Sequence, residues 1–217
     1  GRPRVNLTTF ASFGSLWLLP RIEAFQQRHP DIDIRLSAHD AVADLDDPEL
    51  DLALRYYHGP QEAGPPATPM FGEVLTPVIS RSLAEQIRDG KAPPLATPAD
   101  LAHHTLAEED DDRASTEYLS WRYWLRKHGQ PELEPQRWLY LNFTYQQVQA
   151  ALAGHGVALA RVALVFEALQ RGELVEPFGP PGRIASPFSY WLVLGPRGRA
   201  RPEVAQFCAW VEQQAAL

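Results

Sequence analysis

Hydrophobic positions recur with two different periods along this 217-residue chain, and the switches between them mark its elements. Val5 and Leu7 alternate with Arg4 and Asn6, the period of a half-buried strand, before Thr8 and Thr9 lead into a turn. From about Ser12 to His29 the period lengthens: Leu18, Ile22 and Phe25 share one face of a helix that His29-Pro30-Asp31 stops. Pro20 lies inside that span. An interior proline costs a helix about 3 kcal/mol, so the regular helix is expected to begin near Leu18 with Pro20 in its first turn. Ile32, Ile34 and Leu36 alternate with polar residues as a second strand, a short acidic connection follows, and Leu52-Ala53-Leu54 within Asp51 to Tyr57 reads as a third. Four prolines and two glycines between Gly59 and Pro69 predict a loop.

Beyond it, Phe71 to Ile79 reads as a strand whose Pro77 suits an edge or a crossing point. Helices are expected at Ser82 to Arg88, Pro98 to His103 and Tyr118 to His128, the last ended by Gly129 and Pro131. Trp138 to Phe143 alternates as a strand, Thr144 or Asn142 is placed to cap a helix from Tyr145 to Ala153, and Val157 to Ala160 forms a short buried strand. A helix from Val162 to Arg171, a strand from Phe188 to Leu194 and a final helix from Pro202 to Ala216 complete the pattern. Strands alternating with helices imply an α/β fold with mainly parallel sheets. Trp121, Trp124, Leu125 and Tyr118 fall at helical spacing and read as core or dimer surface. The acidic run Glu108 to Asp112 reads as a solvated loop, with a metal site as the alternative.

Composition narrows the function. Hydrophobic residues at 45% and charged residues at 22% describe a globular chain, and no apolar run approaches the roughly 20 residues needed to span a bilayer. The formal charge of −7, with no basic stripe, argues against DNA binding by this chain alone. The single Cys208 excludes an intrachain disulfide and fits a reducing cytosol. Gly1-Arg2-Pro3-Arg4 leads abruptly into the first strand, which raises the expectation of a further N-terminal domain. There is no Gly-x-Ser-x-Gly, His-Glu-x-x-His or phosphate loop, and Gly154-x-Gly156 lacks the third glycine of a dinucleotide fingerprint; no catalytic residue, cofactor or metal is assigned. His103-His104 has no partner at metal-ligand spacing.

Five blocks carry a resemblance. Thr8-Thr9-x-x-Ser12 followed by Trp17-Leu18-Leu19-Pro20-Arg21-Ile22-x-x-Phe25-x-x-x-His29-Pro30-Asp31-Ile32 resembles the opening of the effector-binding domain of LysR-type transcriptional regulators. Asp51-Leu52-Ala53-Leu54-Arg55-Tyr56 is similar to that family's third strand, Leu75-Thr76-Pro77-Val78 to its crossover, and Ser189-Tyr190-Trp191-Leu192 to its return strand. Gln149-Ala150-Ala151-Leu152-Ala153-Gly154-His155-Gly156-Val157-Ala158-Leu159 is the most specific block. The Trp-Leu-x-Pro-Arg and Arg-Tyr forms resemble the branch that holds the glycine-cleavage activator and AmpR.

The resemblance implies two Rossmann-like lobes of the type 2 periplasmic-binding-protein kind, joined by two crossing strands: residues 1–76 with 188–217, and residues 77–187. It implies a bacterial, cytoplasmic regulator that catalyses nothing and senses a small, anionic effector between the lobes. It further implies a homodimer, a tetramer in the full-length protein, and DNA binding only through a winged helix-turn-helix domain absent from this chain. RNA polymerase is a further partner and the membrane is not. An extracytoplasmic solute-binding protein is the alternative with the same fold, and a hydrolase or transferase on that scaffold a third reading.

In open α/β sheets ligands sit beyond the carboxyl ends of strands, near helix N-termini. That rule selects Ser12 and Thr144, whose other reading is ordinary N-capping worth about 1 kcal/mol each. By the resemblance Ser12, Thr144 and Tyr190 match effector-pocket positions. Asn142 and Thr9 lie at the same strand ends, and Arg55 either supplies a charge or pairs structurally with Asp51 or other acids. Tyr57 and His58 depart from the family, which commonly has glycine there; bulk at Tyr57 narrows the site, while His58 reads as a loop residue. The aromatics Tyr56, Tyr57, Phe188 and Tyr190 leave room for a larger ligand.

Overall fold

The computed structural model describes residues 1–38, 47–63, 67–110 and 114–217. Residues 39–46 of the acidic connection after the second strand, residues 64–66 of the proline-rich stretch, and residues 111–113 lie outside the described residues. In chain order the elements are β1 (Arg4–Thr9), α1 (Ala11–Phe13), a π-helical segment (Gly14–Leu18), α2 (Leu19–Arg28), β2 (Asp33–Ala38), β3 (Leu52–Tyr57), α3 (Pro60–Ala63), β4 (Ala67–Ser80) and α4 (Arg81–Arg88). After a 3-10 turn at Pro98–His103 come β5 (Thr105–Glu109), a second 3-10 turn at Ala114–Leu119, α5 (Trp121–Lys127), β6 (Arg137–Leu141), α6 (Thr144–Leu152), β7 (Val157–Arg161) and α7 (Val162–Gln170). The chain ends with β8 (Leu174–Val175), β9 (Ile184–Leu194) and α8 (Pro202–Ala215).

Two compact units form, one from residues 1–72 and 187–217, the other from residues 73–186. The chain passes between them within β4 and again within β9. In the first unit β1 lies parallel to β2 (Thr8 opposite Ser37) and to β3 (Leu7 opposite Leu52), and β3 runs antiparallel to β9 (Arg55 opposite Trp191). In the second, β5 lies parallel to β6 and β7, and β4 runs antiparallel to β7 with Leu75 opposite Arg161. Val5, Leu7, Phe13, Leu18, Phe25, Leu52, Val204, Phe207 and Val211 are buried in the first unit. Leu75, Leu101, Leu106, Trp121, Trp124 and Val157 are buried in the second. Both tryptophans are core, and each buried indole N–H is satisfied: Trp121 Nε1 donates to the Ala107 carbonyl and Trp124 Nε1 to that of Gly182, both at 2.8 Å. Among the described residues no helix is long and apolar enough to cross a membrane.

Pro20 does not delay the first helix. The chain is helical from Ala11, and the turn widens before the proline, the Leu19 N–H bonding the Gly14 carbonyl five residues back. A wider turn accommodates a residue with no N–H, and Arg21 Nη1 donates at 2.8 Å to the Trp17 carbonyl while its guanidinium lies over the Trp17 ring. Four further expectations change. A short helix, α3, occupies part of the proline-rich loop, and β4 starts at Ala67. The helix expected from Tyr118 begins at Trp121, because Ser120 Oγ accepts from the Tyr123 N–H and caps it there. Glu108 and Glu109 belong to β5 rather than a loop; only Leu106 and Ala107 signal that strand, and its acidic end hid it. Finally, β9 extends back to Ile184.

Gly156, at the entry to β7, has φ of +130°, and a Cβ there would run into the Thr105 carbonyl oxygen. Gly156→Ala is expected to destabilise the second unit by roughly 2–4 kcal/mol, read as a lower urea midpoint.

Candidate functional site

In the first unit, β1 and β3 point their carboxyl ends the same way, and the candidate residues collect there. Thr8 Oγ1 donates to the Ser37 carbonyl at 3.0 Å, while the fully buried Thr9 keeps an Oγ1 with no hydrogen-bond partner. Phe10, in extended conformation, takes the N-cap position, so Ser12 lies buried inside the first helical turn and is not the cap. Side chains alternate across β3 and β9. Tyr56, Phe188 and Tyr190 face Phe10, Phe13 and Phe71, with Tyr190 stacked on Phe13 at 5.0 Å. Tyr190 is thus held inside an aromatic cluster. Arg55, Tyr57, Ser189 and Trp191 take the other face by register.

Asp51 is not the partner of Arg55. Its fully buried carboxylate accepts from the Asn6 N–H at 2.8 Å and from Arg201 Nη1 at 2.6 Å, with Arg197 at 3.8 Å. Burial pulls the Arg55 guanidinium below its ordinary value, against the opposing influence of Tyr57. Burial likewise raises the Tyr57 phenol. His58 is exposed, its ring edge-on to Phe188.

In the second unit the carboxyl ends of β5, β6 and β7 gather a buried ionic set. Arg161, 3% exposed, lies 3.7 Å from Glu73 and 3.6 Å from Glu109, both buried. Thr144 Oγ1 donates to Glu109 at 2.7 Å. Thr144 therefore does not cap its helix. Gln146 does so instead, its Oε1 accepting from the N–H groups of Asn142 and Phe143. The Asn142 side chain is exposed. Glu108 faces the start of α5, where the Trp121 N–H approaches its two oxygens at 3.2 and 3.3 Å. A cavity of about 370 Å³ lies at the opposite, amino ends of these strands, among His103, His104, Gln136, Arg137 and His155, with His104 Nε2 engaged by the Pro94 carbonyl at 3.1 Å.

Residues 1–216 match the family described as the LysR substrate binding domain. This chain belongs to that family. Among its LysR relatives, the HTH-type transcriptional activator AmpR of Pseudomonas aeruginosa is 34% identical over 203 residues, 93% of this chain and 62% of the relative. The Glycine cleavage system transcriptional activator of Escherichia coli is 29% identical over 212 residues, 98% of this chain and 65% of the relative. The chain therefore spans less than two thirds of either regulator. The effector domain of Pseudomonas aeruginosa AmpR superposes with a TM-score of 0.73 at 30% identity, covering 98% of this chain and 96% of that one. The AmpR effector binding domain of Citrobacter freundii gives 0.72 at 24% identity, covering 99% of both, which supports the fold. The LysR effector-domain fold, periplasmic-binding-protein-like type 2, is the fold of this chain, and its homologues are transcriptional regulators rather than enzymes.

Within this LysR domain, Thr9, Ser12, Arg55 and Tyr57 belong to one unit and Asn142 and Thr144 to the other. Glu73, Glu109 and Arg161 were missed from sequence. Their positions on three separate strands carry no local motif, and the one available signal was a charged residue closing the buried strand Val157–Arg161.

Burial is the main cause that pushes Glu108 up to about 7, Glu109 and Asp110 adding to it and the Trp121 N–H opposing. Between the ordinary glutamate range and pH 7 the folded chain then holds a proton that the unfolded chain has released, so stability falls as pH rises through that window. Glu108→Gln is expected to flatten this fall, measured by urea midpoints at about pH 5 and pH 7.5.

Proposed function

We propose that this chain is the effector-sensing part of a LysR-type, DNA-binding transcriptional regulator, which takes a small molecule at the carboxyl ends of its parallel strands. The observation that carries the reading is the family match over residues 1–216, joined to the buried hydroxyls and charges collected at those ends in each unit. Thr144 spends its one hydroxyl proton on Glu109, so its oxygen presents lone pairs and accepts from a donor on the effector. Ser12 lies buried in the first helical turn, just beyond the carboxyl end of β1. DNA contact belongs to a winged helix-turn-helix domain outside this chain. Effector binding favours one arrangement of the regulator over another and so re-aims that domain. The regulator works in the cytoplasm as a homodimer, and a sedimentation or light-scattering mass twice that of the chain is expected at high concentration.

The curated relatives are transcriptional activators, which favours the sensor over a solute carrier for uptake. A thermal-shift screen of amino acids, aromatic acids and cell-wall peptides identifies an effector. Ser12→Ala and Thr144→Val are each expected to weaken that effector roughly tenfold, and together to abolish its stabilisation. Unchanged stabilisation in the double variant would remove both hydroxyls from the site.

A further inference from the structure

Arg55 is 6% exposed, yet its Nη2 has no hydrogen-bond partner, and among the described residues its guanidinium forms no ion pair. Acids close to it in sequence have other partners, Glu49 lying 3.9 Å from Arg35. Asp51 is held by Asn6 and Arg201, and the Glu62 carboxylate accepts from the His58 N–H at 2.5 Å. Cations buried without a counter-charge destabilise the fold that contains them, and proteins keep them where a ligand supplies the missing charge. Tyr57, two residues on, shares the Arg55 face of β3, and the aromatic cluster occupies the opposite face. On the Arg55 face Trp191 Nε1 already donates to Ser189 Oγ at 2.9 Å, so the indole N–H is spent. What is left for a ligand to answer is the buried Arg55 Nη2, and beside it on the same face stands a half-buried phenol.

We propose that Arg55 and Tyr57 form a subsite for an oxyanion group, a carboxylate or a phosphate, on the effector. The guanidinium fork matches two oxygens of either group, and the Tyr57 hydroxyl donates to one of them. The subsite rests on the sensor reading and gives its effector a chemical class. It also makes Arg55 a residue that weakens the empty domain.

The test is thermal denaturation of the chain and of Arg55→Met and Arg55→Lys, each alone and with matched probes: glycine against glycinamide, benzoate against benzamide, and inorganic phosphate. Without ligand, Arg55→Met is expected to melt ~2–4 °C higher, since it removes an unmatched buried charge and keeps the bulk. The carboxylates, or phosphate, are expected to raise the melting temperature of the wild-type chain and their amides are not. That gain is lost in Arg55→Met and reduced in Arg55→Lys, which keeps the charge and loses the fork. A carboxylate response without a phosphate response assigns the first source, and the reverse assigns the second. A lower melting temperature for Arg55→Met, or oxyanion stabilisation that survives in it, would overturn the subsite. Equal stabilisation of all three proteins by a neutral compound sinks the oxyanion class and leaves the sensor standing. A chain that no compound of any class stabilises overturns both.

Discussion

Charge taken out of water has to be answered inside the protein, and most of the polar architecture of this chain follows from how that demand is met. In the first unit the Asp51 carboxylate is matched by Arg201 and by the Asn6 N–H, which ties β1, the start of β3 and the approach to α8 to one buried point. The Asp51 carbonyl adds to the joint by accepting from the Gly195 N–H at 2.8 Å. In the second unit Arg161 pairs with Glu73 and Glu109, so the ends of β5 and β7 meet the middle of β4 in a common ionic set. The Asp51 joint fixes the entry to β3, and the Arg161–Glu109 pair fixes the carboxyl ends of β5 and β7, the ends at which an α/β fold meets a ligand.

Arg55 acquires its meaning against this background. A domain that matches the buried Asp51 and Arg161 leaves the buried Arg55 with no ion pair among the described residues, and the cost is expected to fall on the empty state. Binding sites and stability commonly conflict in this way. The strand pairing keeps the conflict local. One face of β3 and β9 is committed to the stack of Tyr56, Phe188, Tyr190, Phe10 and Phe13, while Arg55 and Tyr57 occupy the other. Tyr190 packs against Phe10 and Phe13, which bracket Ala11 and Ser12 in the chain.

Local pattern was enough to find most strands and helices, because a period of two or of 3.6 is written into neighbouring residues. It failed where a local preference met a compensation it could not display. Pro20 is tolerated because the turn before it widens and the Arg21 side chain reaches the Trp17 carbonyl. The strand Thr105–Glu109 was masked by its own acids, since burial of Glu109 depends on Thr144 and Arg161 arriving from elsewhere. Ser12 and Thr144 lie at helix starts as the pattern predicts, but neither caps: Phe10 holds the first N-cap position without a side-chain bond, and Gln146 caps the second helix.

By itself the sequence determined the α/β class, the order of the elements and, through five ordered blocks, the LysR family. All of these are carried by residues close together along the chain. Only the tertiary structure decided which charges are answered. Asp51 and Arg201 lie 150 positions apart, as Thr144 and Glu109 lie 35 apart, and nothing in the spacing chooses Arg201 over Arg55. A hydrogen bond depends on atoms brought within about 3 Å, a condition that folding alone creates.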